Sequence, residues 1–128
     1  MRLFKTKGFT RFARRERISD ASLREAIRRA EYGLVDAQLG GGVIKQRVAR
    51  PGQGRSGGYR VLIAYRARTL SVFLYGFAKS ERDNVDDNEL ATLRDIARAW
   101  FQADAKALAR AVADGLMEEV AYDEEEKA

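Results

Sequence analysis

Residues 43–78, VIKQRVARPGQGRSGGYRVLIAYRARTLSVFLYGFA, decide the fold class of this protein. Side chains alternate with a period of two across Val43 to Ala49, which predicts a strand. Tyr59 to Ala67 and Leu70 to Ala78 are rich in Val, Ile, Tyr and Phe and follow each other closely, so they predict a β-hairpin. Pro51 to Gly58 contains four glycines and the proline, and it predicts a long, mobile connection between strands.

Upstream of this stretch the apolar spacing becomes helical. Arg2 to Lys7 alternates weakly and predicts a short strand, which a short basic helix follows. A second helix, capped by Ser19 or Asp20, is expected to end at Gly33. Leu34 to Gly42, with three consecutive glycines, predicts a loop.

Downstream, Asp86 followed by Glu89 matches a capping box and predicts a long helix that continues to Gly115. A short acidic tail, Asp123 to Glu126, follows. The order of elements predicts an α+β fold, in which a small antiparallel sheet carries two N-terminal helices and the long C-terminal helix on one side. We expect a single domain over residues 1–128, with residues 102–128 as a helical extension and acidic tail.

The composition restricts the chemistry that the chain can perform. It contains no cysteine and no histidine, so disulfides, thiolate chemistry and the usual zinc sites are excluded. Any catalysis must use Lys, Arg, Tyr or carboxylates, and no metal or cofactor is expected. The longest apolar run, Leu70 to Ala78, is too short to span a membrane, and no charged-then-apolar leader opens the chain. These features predict a cytoplasmic protein.

Charge is divided unevenly along the chain. Residues 1–82 hold 19 Lys and Arg against 6 Asp and Glu, whereas residues 83–128 hold 5 against 13. Residues 37–80 contain eight cations and no acid: Lys45, Arg47, Arg50, Arg55, Arg60, Arg66, Arg68 and Lys79. Like charges held together repel, so an acid-free stretch predicts an anionic partner, either nucleic acid or an acidic protein. The alternative is that an arginine-rich composition produced the stretch by chance.

Strand geometry predicts where these cations meet. Lys45 and Arg47 point to one face of their strand about 6 to 7 Å apart. If the strands pair antiparallel, Arg60 joins them on an exposed face and Lys79 reaches in from the end of the hairpin. Such a cluster would bind phosphate, because arginine offers paired donors and a lysine crowded by cations can act as a base. Binding without cleavage and metal-free RNA cleavage fit these residues equally well, and four further cations are candidate RNA contacts: Arg50, Arg55, Arg66 and Arg82.

Three segments together resemble the RelE/ParE toxin superfamily, and within it the HigB-like branch. They are Val43-Ile-Lys-Gln-Arg-Val-Ala-Arg50, Gly52-Gln-Gly-Arg-Ser-Gly-Gly-Tyr-Arg60 and Tyr75-Gly-Phe-Ala-Lys-Ser-Glu-Arg-Asp-Asn84 followed by Glu89-Leu90. The resemblance extends from Phe4 to about Trp100. It implies the toxin of a type II toxin–antitoxin pair, which enters the ribosomal decoding site, cleaves messenger RNA there and is neutralised by a cognate antitoxin.

The resemblance also implies catalytic positions. The family's basic strand pair falls on Lys45 and Arg47, its strand arginine on Arg60, and its basic residue after the last strand on Lys79. Well-known members carry a functional tyrosine shortly after that strand, where this chain has Asp83, Asn84, Asp86 and Asp87. The superfamily includes gyrase-poisoning proteins, so a non-catalytic gyrase inhibitor and a plain RNA-binding domain are the alternatives to a ribosome-dependent endoribonuclease.

Overall fold

The computed structural model describes residues 1–50, 52 and 57–122. In chain order the elements are β1 (Arg2–Thr6), α1 (Lys7–Glu16), α2 (Asp20–Glu31), β2 (Ala37–Gln38), β3 (Val43–Val48), β4 (Tyr59–Arg66), β5 (Leu70–Ala78), α3 (Asp87–Gln102), α4 (Ala105–Ala113) and β6 (Met117–Val120). The predicted mobile connection, Arg55 within it and the acidic tail lie largely or wholly outside the described residues. The fold is α+β, as predicted.

The three strands predicted within residues 43–78 are adjacent in the sheet. β3 pairs antiparallel with β4, and β4 pairs antiparallel with β5 across the tight turn at Arg68. A register shift between Leu62 and Ile63 marks a β-bulge in the second pairing. The bulge matters for the site because it sets which β5 side chains lie opposite the β4 cations.

The prediction of an antiparallel sheet was wrong in one respect. The order of the six strands in the described part of the chain is β2-β3-β4-β5-β1-β6, and β1 runs parallel to β5. β1 can do so because α1 and α2 carry the chain across the sheet before β3 begins, which is the crossover that a parallel neighbour needs. β2, which lies in the predicted loop, adds a two-residue strand beside β3.

The helices lie on both faces of the sheet, which corrects the expectation that they gather on one side. α1 and α2 bury Phe9, Leu23 and Ile27 against the face that carries Val61 and Ile63. α3 and α4 pack Leu93, Ala97 and Leu108 against the other face, which carries Leu62 and Ala64. Because successive strand residues face opposite ways, β4 is buried on both sides and reads as a continuous apolar run.

The predicted long C-terminal helix is two helices and a strand. The capping box at Asp86 and Glu89 is present as predicted, but α3 ends at Gln102 because Ala103 is extended and the Asp104 carboxylate caps α4 by accepting from the Ala107 N–H at 2.8 Å. β6 then pairs antiparallel with β1 at the sheet edge. The segment expected to be a helical extension is therefore part of the sheet and core.

Candidate functional site

Arg47 and Arg60 lie directly opposite each other on β3 and β4. Directly opposite residues of an antiparallel pair share a face, so both guanidinium groups belong to the face that α3 partly covers. Only 9% of Arg60 is exposed. Burial and the neighbouring charge of Arg47 lower the pKa of Arg60, although an arginine remains protonated in any such environment. The register thus brings the positive charges of Arg47 and Arg60 close together, which the sequence alone did not determine.

Lys79 stands at the same end of the sheet. It directly follows β5, and its N–H donates to the Gly58 carbonyl at 3.0 Å, so the strand pairing continues to this residue. The Lys79 ammonium pairs with Asp83 at 3.7 Å. The charge of Asp83 also acts on Arg60, which places the two cations near one carboxylate. We call the surface formed by Lys45, Arg47, Arg60 and Lys79 the basic face.

Lys45 and Tyr75 form the next row of the basic face. Both lie opposite Leu62, Lys45 from β3 and Tyr75 from β5, and both are half-buried. The Lys45 ammonium makes no hydrogen bond or ion pair within the described part of the chain. Adjacent strands are about 4.8 Å apart, so the Lys45 and Tyr75 main chains are about 10 Å apart, with Leu62 between them. The sequence analysis missed Tyr75, because the β-bulge that brings it opposite Leu62 leaves no signal in the β5 alternation.

The remainder of this face is covered by α3 and the segment before it. Arg82 makes a two-pronged ion pair with Glu89 at 2.6 and 3.2 Å, donates to the Asn84 carbonyl at 2.8 Å and lies over the Phe77 ring. The Arg82 hydrogen bond, followed by one from the Asp86 N–H, holds the pKa of the Glu89 carboxyl below its usual value. A shallow pocket of about 230 Å³ opens between Tyr75 and the start of α3. Arg82 therefore holds α3 beside the basic face.

Two of the other predicted RNA contacts lie away from this cluster. Arg50 is on the α1 side, where its Nε donates to the Tyr59 hydroxyl at 3.2 Å and its guanidinium approaches Glu16 at 3.7 Å. Arg66 ends β4 six residues beyond Arg60, about 20 Å along the strand, and donates to the Phe101 carbonyl at 3.2 Å. The structure brings together the four predicted catalytic residues but not Arg50 and Arg66.

Carboxylates from outside residues 37–80 lie against the acid-free stretch, so its cations do have internal partners. Asp36 accepts from Arg47, Glu16 approaches Arg50 and Asp83 pairs with Lys79. The count of charges over residues 37–80 could not show this, because each of these carboxylates belongs to a residue outside that range. The four cations of the basic face still outnumber the two carboxylates, Asp36 and Asp83, that pair with them.

A family model described as "RelE toxin of RelE / RelB toxin-antitoxin system" matches residues 1–120. The chain belongs to the RelE toxin family. The family match ends at the last residue of β6, so it includes α4 and β6, which the resemblance read from the motifs had left mostly outside. No match was found among curated proteins.

In this RelE-family chain the four cations carried over from the motifs are the same four that the register brings to one end of the sheet. No helix in residues 1–50, 52 and 57–122 is long and apolar enough to cross a membrane.

Proposed function

We propose that this RelE-family toxin is a ribosome-dependent endoribonuclease that cleaves messenger RNA by attack of a ribose 2′-hydroxyl. The observation that carries the proposal is the direct opposition of Arg47 and Arg60, with Lys79 at the same strand end and Lys45 with Tyr75 in the next row.

The reaction requires three operations on the RNA. A base removes the 2′-hydroxyl proton, the 2′-oxygen attacks the adjacent phosphorus, and the bond to the 5′-oxygen breaks as that oxygen takes up a proton. The products are a 2′,3′-cyclic phosphate and a 5′-hydroxyl. All three operations can be performed by Lys, Arg and Tyr, which agrees with a chain that has no histidine.

The positions of the side chains suggest how they divide this work. Arg47 and Arg60 stabilise the phosphate as negative charge grows on it, because their guanidinium groups offer several donors to its oxygens. Lys45, which has no carboxylate partner in the described structure, is placed to act as the base. Lys79 or the Tyr75 hydroxyl supplies the proton to the leaving oxygen, and Arg82 orients the segment that carries α3.

Mapping of RNA ends tests this function. Cells that express the chain for a few minutes should accumulate new 5′-hydroxyl ends within translated reading frames, and cells that express Arg60→Ala should not. Intact messages accompanied by DNA damage would instead identify a gyrase inhibitor. RNA that is bound but uncut, with normal growth, would identify a plain RNA-binding domain.

We also propose a cognate antitoxin as a partner, because the family description names a toxin–antitoxin pair. The toxin's target and the antitoxin would both be met in the cytoplasm. An acidic or amphipathic antitoxin segment that covers the basic face would pair its carboxylates with the cations of that face.

A further inference from the structure

Among the described residues, no strand pairs with the edge of β3 beside Arg47. β2 pairs only with Ile44 and Lys45 of β3 and then ends. The main chain at Arg47 therefore presents an N–H and a carbonyl that a longer β2 would have bonded. Unpaired edge groups weaken a strand at the position where the proposed function needs a fixed arginine.

Two side chains take the place of the missing strand. The Arg47 N–H donates to the Asp36 carboxylate at 2.7 Å, and the Arg29 guanidinium donates to the Arg47 carbonyl. Arg29 also approaches the same Asp36 carboxylate at 3.4 Å. Both partners are well covered, with 16% of the Asp36 side chain and 12% of the Arg29 side chain exposed. The Arg47 main chain is thus held from α2 and from the segment before β2.

The same carboxylate holds the Arg47 side chain. Arg47 Nη2 donates to Asp36 Oδ1 at 2.9 Å. Its Nε and Nη1 donate to no residue in the described part of the chain, and 46% of the side chain is exposed. The contact therefore restrains one edge of the guanidinium and leaves other donors open to a phosphate.

Asp36 is itself held by a buried glutamine. Its N–H donates to Gln46 Oε1 at 2.8 Å, while Gln46 Nε2 donates to the carbonyls of Ala26 at 2.9 Å and Leu34 at 3.1 Å. Gln46 is completely buried. These bonds join Gln46 of β3 to α2 and to the segment before β2, so the Asp36 main chain has little freedom to move.

The charge of Asp36 also suits this role. Partial burial acts to raise the pKa of the Asp36 carboxyl, but hydrogen bonds from Arg47 and the charges of Arg47 and Arg29 outweigh it and keep the pKa below its usual value. Asp36 also acts on Arg60 in the direction opposite to Arg47. One carboxylate thus offsets part of the repulsion between two arginines that face each other.

We propose that Asp36 is a positioning residue, which fixes the Arg47 main chain and guanidinium so that Arg47 meets the RNA phosphate together with Arg60. The inference rests on the proposed function of the basic face and adds a residue that lies outside it. Neither the motifs nor the charge count pointed to Asp36.

A double-mutant cycle tests the proposal on ribosomes programmed with a defined message. Asp36→Ala should lower the cleavage rate at saturating ribosomes about tenfold to a hundredfold, because small displacements of a positioned group cost this much. The same change should have little further effect in the Arg47→Ala background, since it acts through Arg47. An equal loss in both backgrounds would overturn the proposal. Glu25→Gln is the control, because it removes the other carboxylate on Arg29 at 2.9 Å and should cleave as the wild type does.

A measurement independent of cleavage separates this proposal from the proposed function. The Arg47 amide should exchange with solvent slowly in the wild type and at least tenfold faster in Asp36→Ala, with the neighbouring β3 amides unchanged. Asp36→Leu, which has a side chain of similar size but no hydrogen-bond acceptor, serves if the alanine variant does not fold. Unchanged exchange at Arg47 in the variants would overturn the positioning role. A wild type that shows this exchange pattern and cuts no RNA would overturn only the endoribonuclease function.

Discussion

Arg60 is a charged side chain that is both buried and placed opposite another cation. It is buried to nine tenths, it faces another arginine, and its pKa is lowered by burial and by that arginine. A lysine in this position could lose its proton, whereas a guanidinium keeps its charge and offers donors in a planar fork. The environment therefore favours arginine for a phosphate contact.

Replacement of Arg60 tests that assignment. Arg60→Ala should abolish growth inhibition, and Arg60→Lys should restore little of it, because the ammonium cannot make the paired contact and is held in a less favourable environment. Colony counts after induction and urea unfolding measure activity and fold. Arg98→Ala, which removes an exposed α3 cation paired with Asp95 at 3.0 Å, is the matched control and should stay toxic. Toxicity of both Arg60 variants at the wild-type level would refute the assignment.

Exchange of each lysine for arginine separates proton transfer from binding. Lys45→Arg should reduce cleavage at least a hundredfold with ribosome binding retained, because arginine keeps the charge but does not release a proton. Lys79→Arg, which preserves a cation beside Asp83, should be milder if Lys79 only contacts phosphate. Single-turnover cleavage on programmed ribosomes gives both rates. Full activity of Lys45→Arg would show that Lys45 is not the base.

At the scale of elements, the position of α3 depends on the turn between β2 and β3. Gly42 has a positive φ of 80°, and a side chain there would meet the Phe101 ring at 2.5 Å. Nearby, Arg94 of α3 donates to the Leu39 carbonyl at 2.9 Å. The glycine turn therefore lets α3 lie close against the sheet, and α3 in turn leaves only one end of the basic face open.

A pair of glycine substitutions isolates this contact. Gly42→Ala and Gly33→Ala both place an alanine at a positive φ, but nothing lies within 4 Å of the added carbon at Gly33. Gly33→Ala should cost about 1 kcal/mol from backbone strain alone, and Gly42→Ala should cost at least about 1 to 3 kcal/mol more from overpacking. Urea unfolding measures both values. Equal losses would mean that α3 adjusts freely to the turn.

At the scale of the whole molecule, the acidic C-terminal part of the chain returns to the basic N-terminal part. Glu119 of β6 pairs with Arg2 at 2.9 Å, and Glu118 approaches Lys5 and Arg14. The pairs made by Arg2 and Arg14 are exposed and contribute little energy individually, whereas the Lys5 side chain is mostly buried. The stronger contribution of β6 is the burial of Met117 and Val120, one on each side of the sheet.

Truncation tests the contribution of β6. A chain that ends after Gly115 should lose about 3 to 6 kcal/mol of unfolding free energy, since two fully buried apolar side chains are removed. A chain that ends after Tyr122 keeps every element of the described structure and should match the full chain in urea unfolding. If both truncated chains unfold at the same urea concentration, β6 is not part of the stable core.

Salt dependence tests whether the molecule meets its target through charge. Binding to programmed ribosomes should weaken steeply as salt rises, because each phosphate contact releases counterions. Removal of Arg47 or Lys79 should make the slope shallower by about one unit each, whereas Arg98→Ala should leave it unchanged. A flat salt response in the wild type would indicate a target bound by apolar contacts.

The local elements and the kind of chemistry available can be predicted from the amino-acid sequence. Alternation identified β3, a high content of Val, Ile, Tyr and Phe identified β4 and β5, and the Asp86 capping box identified the start of α3. The absence of histidine and cysteine, and the acid-free run of cations, directed attention to lysine and arginine. These features can be read from a chain because strand period, helix caps and composition depend on residues that are close in sequence.

Which of these residues lie close together depends on the tertiary fold. The register that sets Arg47 opposite Arg60, the bulge that brings in Tyr75 and the placement of Asp36 at an open strand edge all depend on contacts between distant segments. The parallel insertion of β1 and the return of β6 to the sheet have the same origin. Local spacing constrains which face a side chain takes, but pairing, bulges and ion pairs are chosen by the packing of the whole chain.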